Sequence, residues 1–491
     1  MSFTDERFLL FLPFSILSYF MLPLELRPLC LLFLSLIFYL SWGVPGFVFV
    51  IFSNYIIYAG AIVISKAVDK NRKRFYFLTV TTMLLGVLVI TKTGKLIMET
   101  LSAGDSSFVA PIGISYMTLS LLSYIMDVYR GRQKAERNPV KFLLYTLYFP
   151  KVLQGPITRY GKLSEQLFCG HRFDYERVCF GLQLMLYGYF KKLVIADRIA
   201  VFTGTLFSNY ETYRGSVLLV GLLVRPLQLY YDFSGYMDIA IGLSQVFGID
   251  LPANFNRPFF SKSAAEFWRR WHITLGIWFK DYVYMPLVTS PFLAKTAMKT
   301  RNKIGKRAGK SIMTIIPLMV VWILTGAWHG TGLNYIIWGL YWGFIITFSS
   351  LFSKEISAFA SFLKIDTARS SWQIFCQVRT YLLFAVGRLI TLDDARLVLR
   401  HMKEGMYFGS LFNGSLYTIG LNRPEFLIML VAIAVCWGIS LLQERGSVRM
   451  MIKNSNAVFR WGIYYIAIFS VIIFGVYGLG YNSSDFIYMQ F

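Results

Sequence analysis

The sequence predicts an all-α, multi-pass membrane protein with about 10 to 13 membrane-embedded helices. Three observations predict this class. Of the 491 residues, 56% are hydrophobic and 15% charged, an apolar surplus too large for a chain that must cover itself with polar groups in water. The apolar residues gather into blocks suited to hydrocarbon ~30 Å thick, which takes about 20 helical residues at 1.5 Å each. The 49 Lys+Arg outnumber the 26 Asp+Glu for a net charge of +23, and the cations cluster between the blocks, as in cytoplasmic loops.

The elements follow in order along the chain. A first helix is expected from Phe8 to Leu24. It follows Asp5 and Glu6 rather than a basic stretch and has no small-residue cleavage site, so it reads as a retained helix rather than a signal peptide. Leu29 through Ile64 is apolar with a break at Gly43-Val44-Pro45-Gly46, which splits it in two. Phe75 to Ile90 follows, then less clean segments between Pro111 and Gly248. In Glu266–Tyr282, Phe267, Trp271, Leu275, Trp278 and Tyr282 recur at helical period, with Arg270, Thr274, Lys280 and Asp281 largely off the stripe. That pattern predicts a helix lying in or dipping into the interface. Ile312–Trp328, Leu333–Phe352, Phe426–Leu442 and Trp461–Tyr481 supply the remaining clear blocks. The whole chain, 1–491, reads as one membrane domain.

The basic clusters lie at Lys66–Arg74, Arg130–Lys141 and Lys295–Lys310. Their expected role is topological and lipid-facing. One of them can also steer an anionic cytosolic substrate. Nucleic acid is excluded as a partner, because no fold or aromatic-basic pattern for it accompanies the charge. No internal repeat points to a transporter built from duplicated halves. The five cysteines lack metal-ligand spacing and read as small buried hydrophobes, and no metal site is expected.

An ionisable group at bilayer depth is costly and is usually kept for function. Of the four histidines, His171 and His401 lie in polar, loop-like sequence. His329 is different: it ends an apolar block in Gly326-Ala327-Trp328-His329-Gly330-Thr331-Gly332, and another block begins at Leu333. A histidine between glycines that admit close approach can accept a proton near neutral pH, the property of a general base. His272, within Phe267-Trp268-Arg269-Arg270-Trp271-His272, reads equally as structural or cavity-lining. Asp232 and Asp238 are too far off one helical face for a carboxylate dyad, and Asp232 is expected to pair with an arginine or orient a histidine. Asn254, Asn256 and Arg257 are candidates for holding an acyl donor or a loop, and Trp328 for lining the site. Gln154 and Arg159, around Pro156, are further tunnel or loop candidates.

These residues carry a resemblance. Asn254-Phe255-Asn256-Arg257-Pro258-Phe259, Glu266-Phe267-Trp268-Arg269-Arg270-Trp271-His272 and Trp328-His329-Gly330 resemble the membrane-bound O-acyltransferase family. Pro111–Tyr116, Asp127–Gly131, Phe149-Pro150-Lys151 with Gln154-Gly155-Pro156-Ile157, and Tyr231–Tyr236 add to it, so that 111–340 reads as the motif-bearing core. The branch most similar is that of bacterial alginate O-acetyltransferases and the teichoic-acid D-alanylation acyltransferase.

The resemblance implies helices around a central tunnel through a thinned membrane, with His329 as the catalytic base and His272 orienting or polarising. It implies acetyl-coenzyme A as donor with no bound cofactor, an extracytoplasmic polysaccharide as acceptor, and an esterase-like partner transferase outside a bacterial cytoplasmic membrane. The tail 485–491, Asp485-Phe486-Ile487-Tyr488-Met489-Gln490-Phe491, is similar to the aromatic ending of the polysaccharide O-acetyltransferases, with Met489 in place of an aromatic residue. Tyr488 is therefore a candidate acyl carrier; the plainer role for this tail is interfacial anchoring. D-alanyl transfer to teichoic acid, and a polysaccharide or lipid transporter with His329 as proton relay, are the alternatives.

Overall fold

Apolar blocks with no internal charge satisfy every backbone polar group within a helix, the arrangement a bilayer demands. The computed structural model describes residues 1–100 and 111–477, and these are helical almost throughout. Among the described residues, the sole β-type pairing outside helices is the isolated antiparallel bridge between Phe255 and Trp271. The protein is an all-α polytopic membrane protein.

The predicted blocks emerge as the helices Glu6–Met21, Arg27–Leu40, Val44–Lys66, Lys306–His329, Leu333–Leu351, Arg423–Leu442 and Ala457–Phe474. Asp5 caps the first of them, its carboxylate accepting from the Arg7 amide. The break before Val44 falls at Gly43, whose φ of +120° an L side chain rarely adopts. Among the described residues, six helices are long and apolar enough to cross a membrane, or seven if Leu333–Leu351 and Ser353–Phe362, bent by 66°, count as one span. The other blocks in the count of 10 to 13 are shorter or carry charge: Glu6–Met21 and Ile114–Tyr129 have 16 residues each, and Ser216–Val246 contains Arg225, Asp232 and Asp238.

The chain divides into two compact units: Met1–Leu193 with Asp232–Ala253 and Arg445–Phe491, and Val194–Tyr231 with Asn254–Glu444. Within the first, the helices bearing Gly181 and Gly188 on one side and Gly235 and Gly242 on the other meet backbone to backbone. A methyl at Gly188 would lie 2.6 Å from the Gly235 carbonyl oxygen, and one at Gly181 2.6 Å from that of Gly242. Small residues at such crossings replace the hydrophobic drive that lipid removes with close van der Waals packing. None of the five cysteines forms a disulfide, and Cys30, Cys376 and Cys436 are buried.

Candidate functional site

Between Asn254 and Leu351 the second unit brings together the two histidines singled out by the sequence. His329 is the last residue of Lys306–His329, at the turn of a tight hairpin with Leu333–Leu351. Glycines set that closeness: a methyl on Gly339 would strike the Trp322 carbonyl, one on Gly326 the Tyr335 carbonyl, and one on Gly330 the Tyr335 ring. The half-buried His329 packs edge-on against Trp338, ring centroids 5.1 Å apart, and against Trp328 at 4.9 Å.

His272 reaches the same tryptophan from another element. Its ring lies 6.0 Å from that of Trp328, so both imidazoles flank one indole. The predicted helix through Glu266–Tyr282 is broken at this point, into Ala264–Arg270 and Ile273–Phe279, continued by a π-turn at Lys280–Tyr284. His272 sits in the gap at φ 48° and ψ 49°, a left-handed conformation that costs a residue with a Cβ about 1–3 kcal/mol. A strand-like segment from farther back in the chain imposes it. The Asn256 amide donates to the Arg270 carbonyl at 2.9 Å, and the Ile273 amide to the Asn254 carbonyl at 3.0 Å. The Asn254 side chain completes the clamp, its Oδ1 accepting from the Thr274 amide at 3.0 Å and the Thr274 hydroxyl at 2.9 Å. Burial lowers the His272 pKa to about 3, so this imidazole is neutral at physiological pH. A neutral ring at that position can orient or polarise, but it has no proton to give as a cationic acid.

Around the histidines stands a wall of indoles. Trp268 packs against Trp322 at 4.9 Å, Trp342 at 5.1 Å and Trp338 at 5.7 Å, with Phe384 closing on Phe267 at 4.6 Å. Edge-to-face pairs of this kind contribute about 0.5–1.5 kcal/mol each beyond their buried area and hold the hairpin against the His272 turn. Such packing buries the His272 imidazole, which is 2% exposed.

The other sequence candidates divide. Asn254 is buried and serves the turn, the exposed Asn256 serves it through its backbone, and Trp328 contacts both histidines. Arg257 is also left-handed, at φ 46°, and is ion-paired to Glu444 at 3.0 Å. Asp232 belongs to the first unit. There it pairs with Lys192 at 2.7 Å, a lysine where the sequence led to an arginine or a histidine, and both side chains are buried. Asp238 pairs with Lys191 at 2.6 Å, and Lys191 also donates to Ser234 at 3.1 Å. Both lysines lie in a π-helical stretch, Phe190–Ala196. The sequence reading missed these lysines, although charge inside an apolar block was the signal that could have found them.

Lys151 was also missed as a site residue. It is buried, its ammonium donating to the Thr158 hydroxyl at 3.1 Å and lying 4.0 Å from the centre of the Tyr145 ring, and burial lowers its pKa to about 7. Beside it in sequence, the buried Gln154 amide has no hydrogen-bond partner among the described residues. Tyr488 and the tail 485–491 lie outside the described residues.

Replacing Asn254 with alanine is expected to free the Thr274 donors and relax His272 from its left-handed turn. The stability cost should be about 1–3 kcal/mol, with a loss of transfer rate larger than the loss of folded protein; thermal unfolding and rate on the same preparation check both.

The chain matches the model of MBOAT, the membrane-bound O-acyltransferase family, over residues 75–300. It is 31% identical over 450 residues to the probable alginate O-acetylase AlgI of Pseudomonas syringae pv. tomato, covering 89% of this chain and 80% of that protein. It is 29% identical over 391 residues to the peptidoglycan O-acetyltransferase of Helicobacter pylori, covering 71% of this chain and 70% of that protein. Similarity to the teichoic acid D-alanyltransferase of Bacillus subtilis is 31% over 248 residues, 50% of this chain and 60% of that protein.

Proposed function

The chain belongs to the membrane-bound O-acyltransferase family and is an O-acyltransferase, and on that premise we propose that it moves an acetyl group from cytosolic acetyl-coenzyme A across a bacterial cytoplasmic membrane, through a tunnel among its helices, for O-acetylation of an extracytoplasmic polysaccharide. The observation that carries the chemistry is the pair of imidazoles packed against the one indole of Trp328, one half-buried and one buried in a forced turn. His329 takes the proton of an acceptor hydroxyl as its oxygen attacks the thioester carbonyl. The tetrahedral adduct then collapses with loss of the thiolate, which recovers the proton from His329, so an ester and a thiol leave in place of an alcohol and a thioester. General-base assistance of this kind contributes about 10²- to 10⁴-fold in rate. His272, neutral and clamped, orients the acyl group or the acceptor through the shared indole.

Acetyl is favoured over D-alanyl because similarity to the alginate O-acetylase covers 89% of this chain, whereas similarity to the teichoic acid D-alanyltransferase covers 50%. Acetyl-coenzyme A is charged and cytosolic, so the acetyl group must cross without its carrier and be received outside by a second, esterase-like transferase. Tyr488 serves as the relay: its phenol takes the acetyl group at His329 and presents it to that partner. Tyr488→Phe keeps the anchoring ring and removes the hydroxyl. Polymer acetylation should fall to background in that variant, and acetylation at the wild-type level would refute the relay. Deleting the gene should remove O-acetyl groups from an envelope glycan, read by compositional analysis; unchanged O-acetyl content would refute the function.

A further inference from the structure

Apart from the histidines, the second unit contains a cavity of about 370 Å³ that the acyl-transfer reading does not use. Its walls are Tyr230, Phe259 and Tyr381 on the inner side, with Ile374, Val378 and Trp437, each half or more exposed, at the mouth. Exposed apolar side chains on a multi-pass membrane protein face lipid, so this groove opens sideways into the bilayer rather than toward water. One permanent cation lines it, Arg257.

The depth of that cation is fixed by the span beside it. Ile433, Trp437 and Ser440 recur at helical spacing along one face of Arg423–Leu442, and Arg257 Nη1 donates to the Ser440 carbonyl at 3.3 Å and pairs with Glu444 at 3.0 Å. Arg257 thus sits at the end of a membrane-crossing helix, where lipid phosphates lie. From Ile433 to Leu442 is about 14 Å at 1.5 Å per residue, close to one leaflet's half of ~30 Å of hydrocarbon. The sequence just beyond this end carries Arg445, Arg449 and Lys453, which assigns it to the cytoplasmic side.

We propose that this groove is a binding site for one anionic phospholipid of the cytoplasmic leaflet, with an acyl chain in the aromatic slot and its phosphate on Arg257. The guanidinium offers five N–H donors, so a phosphate binds beside Glu444 rather than in its place. The lipid touches the machinery indirectly. Tyr230 and Phe259 form the floor of the slot and pack on Trp271 at 6.1 and 6.4 Å, and Trp271 immediately precedes His272. A filled slot braces the clamped turn. This site stands whether or not acetyl-coenzyme A is the donor.

The test is photo-crosslinking of the full-length protein in vesicles of phosphatidylcholine carrying a trace of phosphatidylglycerol with a diazirine on its acyl chain, followed by peptide mapping. Labels should concentrate on Ile374–Tyr381 and Ile433–Ser440, and Val378→Trp, which fills the slot, should abolish that concentration. Arg257→Met should weaken labelling by the phosphatidylglycerol probe about tenfold while sparing a diazirine phosphatidylcholine probe, the loss of one charged hydrogen bond. Labelling of wild-type protein no denser there than on the lipid-exposed helix Ala457–Phe474 would overturn the proposal, and this comparison needs no variant to fold. Competition by excess inorganic phosphate as complete as that by excess phosphatidylglycerol would also overturn it, since the site would then recognise free phosphate.

Discussion

His329→Gln is expected to reduce acyl transfer about 10²- to 10⁴-fold while leaving the protein folded. Glutamine keeps the approximate size and hydrogen-bonding capacity of imidazole but cannot accept a proton near neutral pH. The position tolerates it sterically, because His329 is half-buried at a hairpin turn, and the close approach of the two helices depends on Gly326, Gly330 and Gly339 rather than on the imidazole. His272→Gln should lose less rate and more stability. His272 is buried and neutral, and its turn is a packing element as much as a site element. Rates per folded molecule, with folding checked by size-exclusion profile and thermal midpoint, separate the two. A His329→Gln protein at full rate would remove this residue from the chemistry.

Asp232→Ala is expected to destabilise the first unit by about 3–5 kcal/mol, because it strips the buried Lys192 ammonium of its carboxylate. The pair lies at 2.7 Å with both side chains only 3% exposed, and such an ion has no access to water to recover its solvation. Replacing both members by apolar residues of similar size, Asp232→Leu with Lys192→Met, should recover most of the loss, since the penalty belongs to the unmatched charge. The midpoint of thermal unfolding in detergent reads all three proteins. Transfer activity then decides the role of Asp232: recovery along with stability marks it as structural, whereas a stable and inactive double variant would place it in the reaction.

The contrast between these residues shows what the sequence made legible. The spans were readable because hydropathy acts locally: Lys306–His329 and Arg423–Leu442 are apolar whatever surrounds them. His329 was readable for the same reason, as a titratable residue at the end of an apolar block. The break at His272 was not, because the stripe from Phe267 to Tyr282 runs unbroken through it at helical period. The helix stops because Asn254 and Asn256, more than a dozen residues earlier, take the Ile273 amide and the Arg270 carbonyl, and no local periodicity registers a partner that distant in the chain. The same holds for Asp232, whose lysine lies 40 residues away. The charge itself was visible, but its counter-ion depended on the helix crossing at Gly188 and Gly235. Asn254 could be narrowed only to holding a donor or a loop, because a side chain that accepts from Thr274 reads in sequence like one that binds a ligand.

The most direct measurement uses the purified full-length protein sealed in vesicles, with acetyl-coenzyme A carrying a labelled acetyl group supplied on the side of the basic loops. Free coenzyme A should appear on that side, and label should become attached to protein or to a hydroxyl acceptor, with both processes lost in His329→Gln. Acetyl-coenzyme A left intact with every polysaccharide acceptor, or consumed at the same rate by wild type and His329→Gln, would contradict the assignment of His329 as the base of a membrane acetyl transfer.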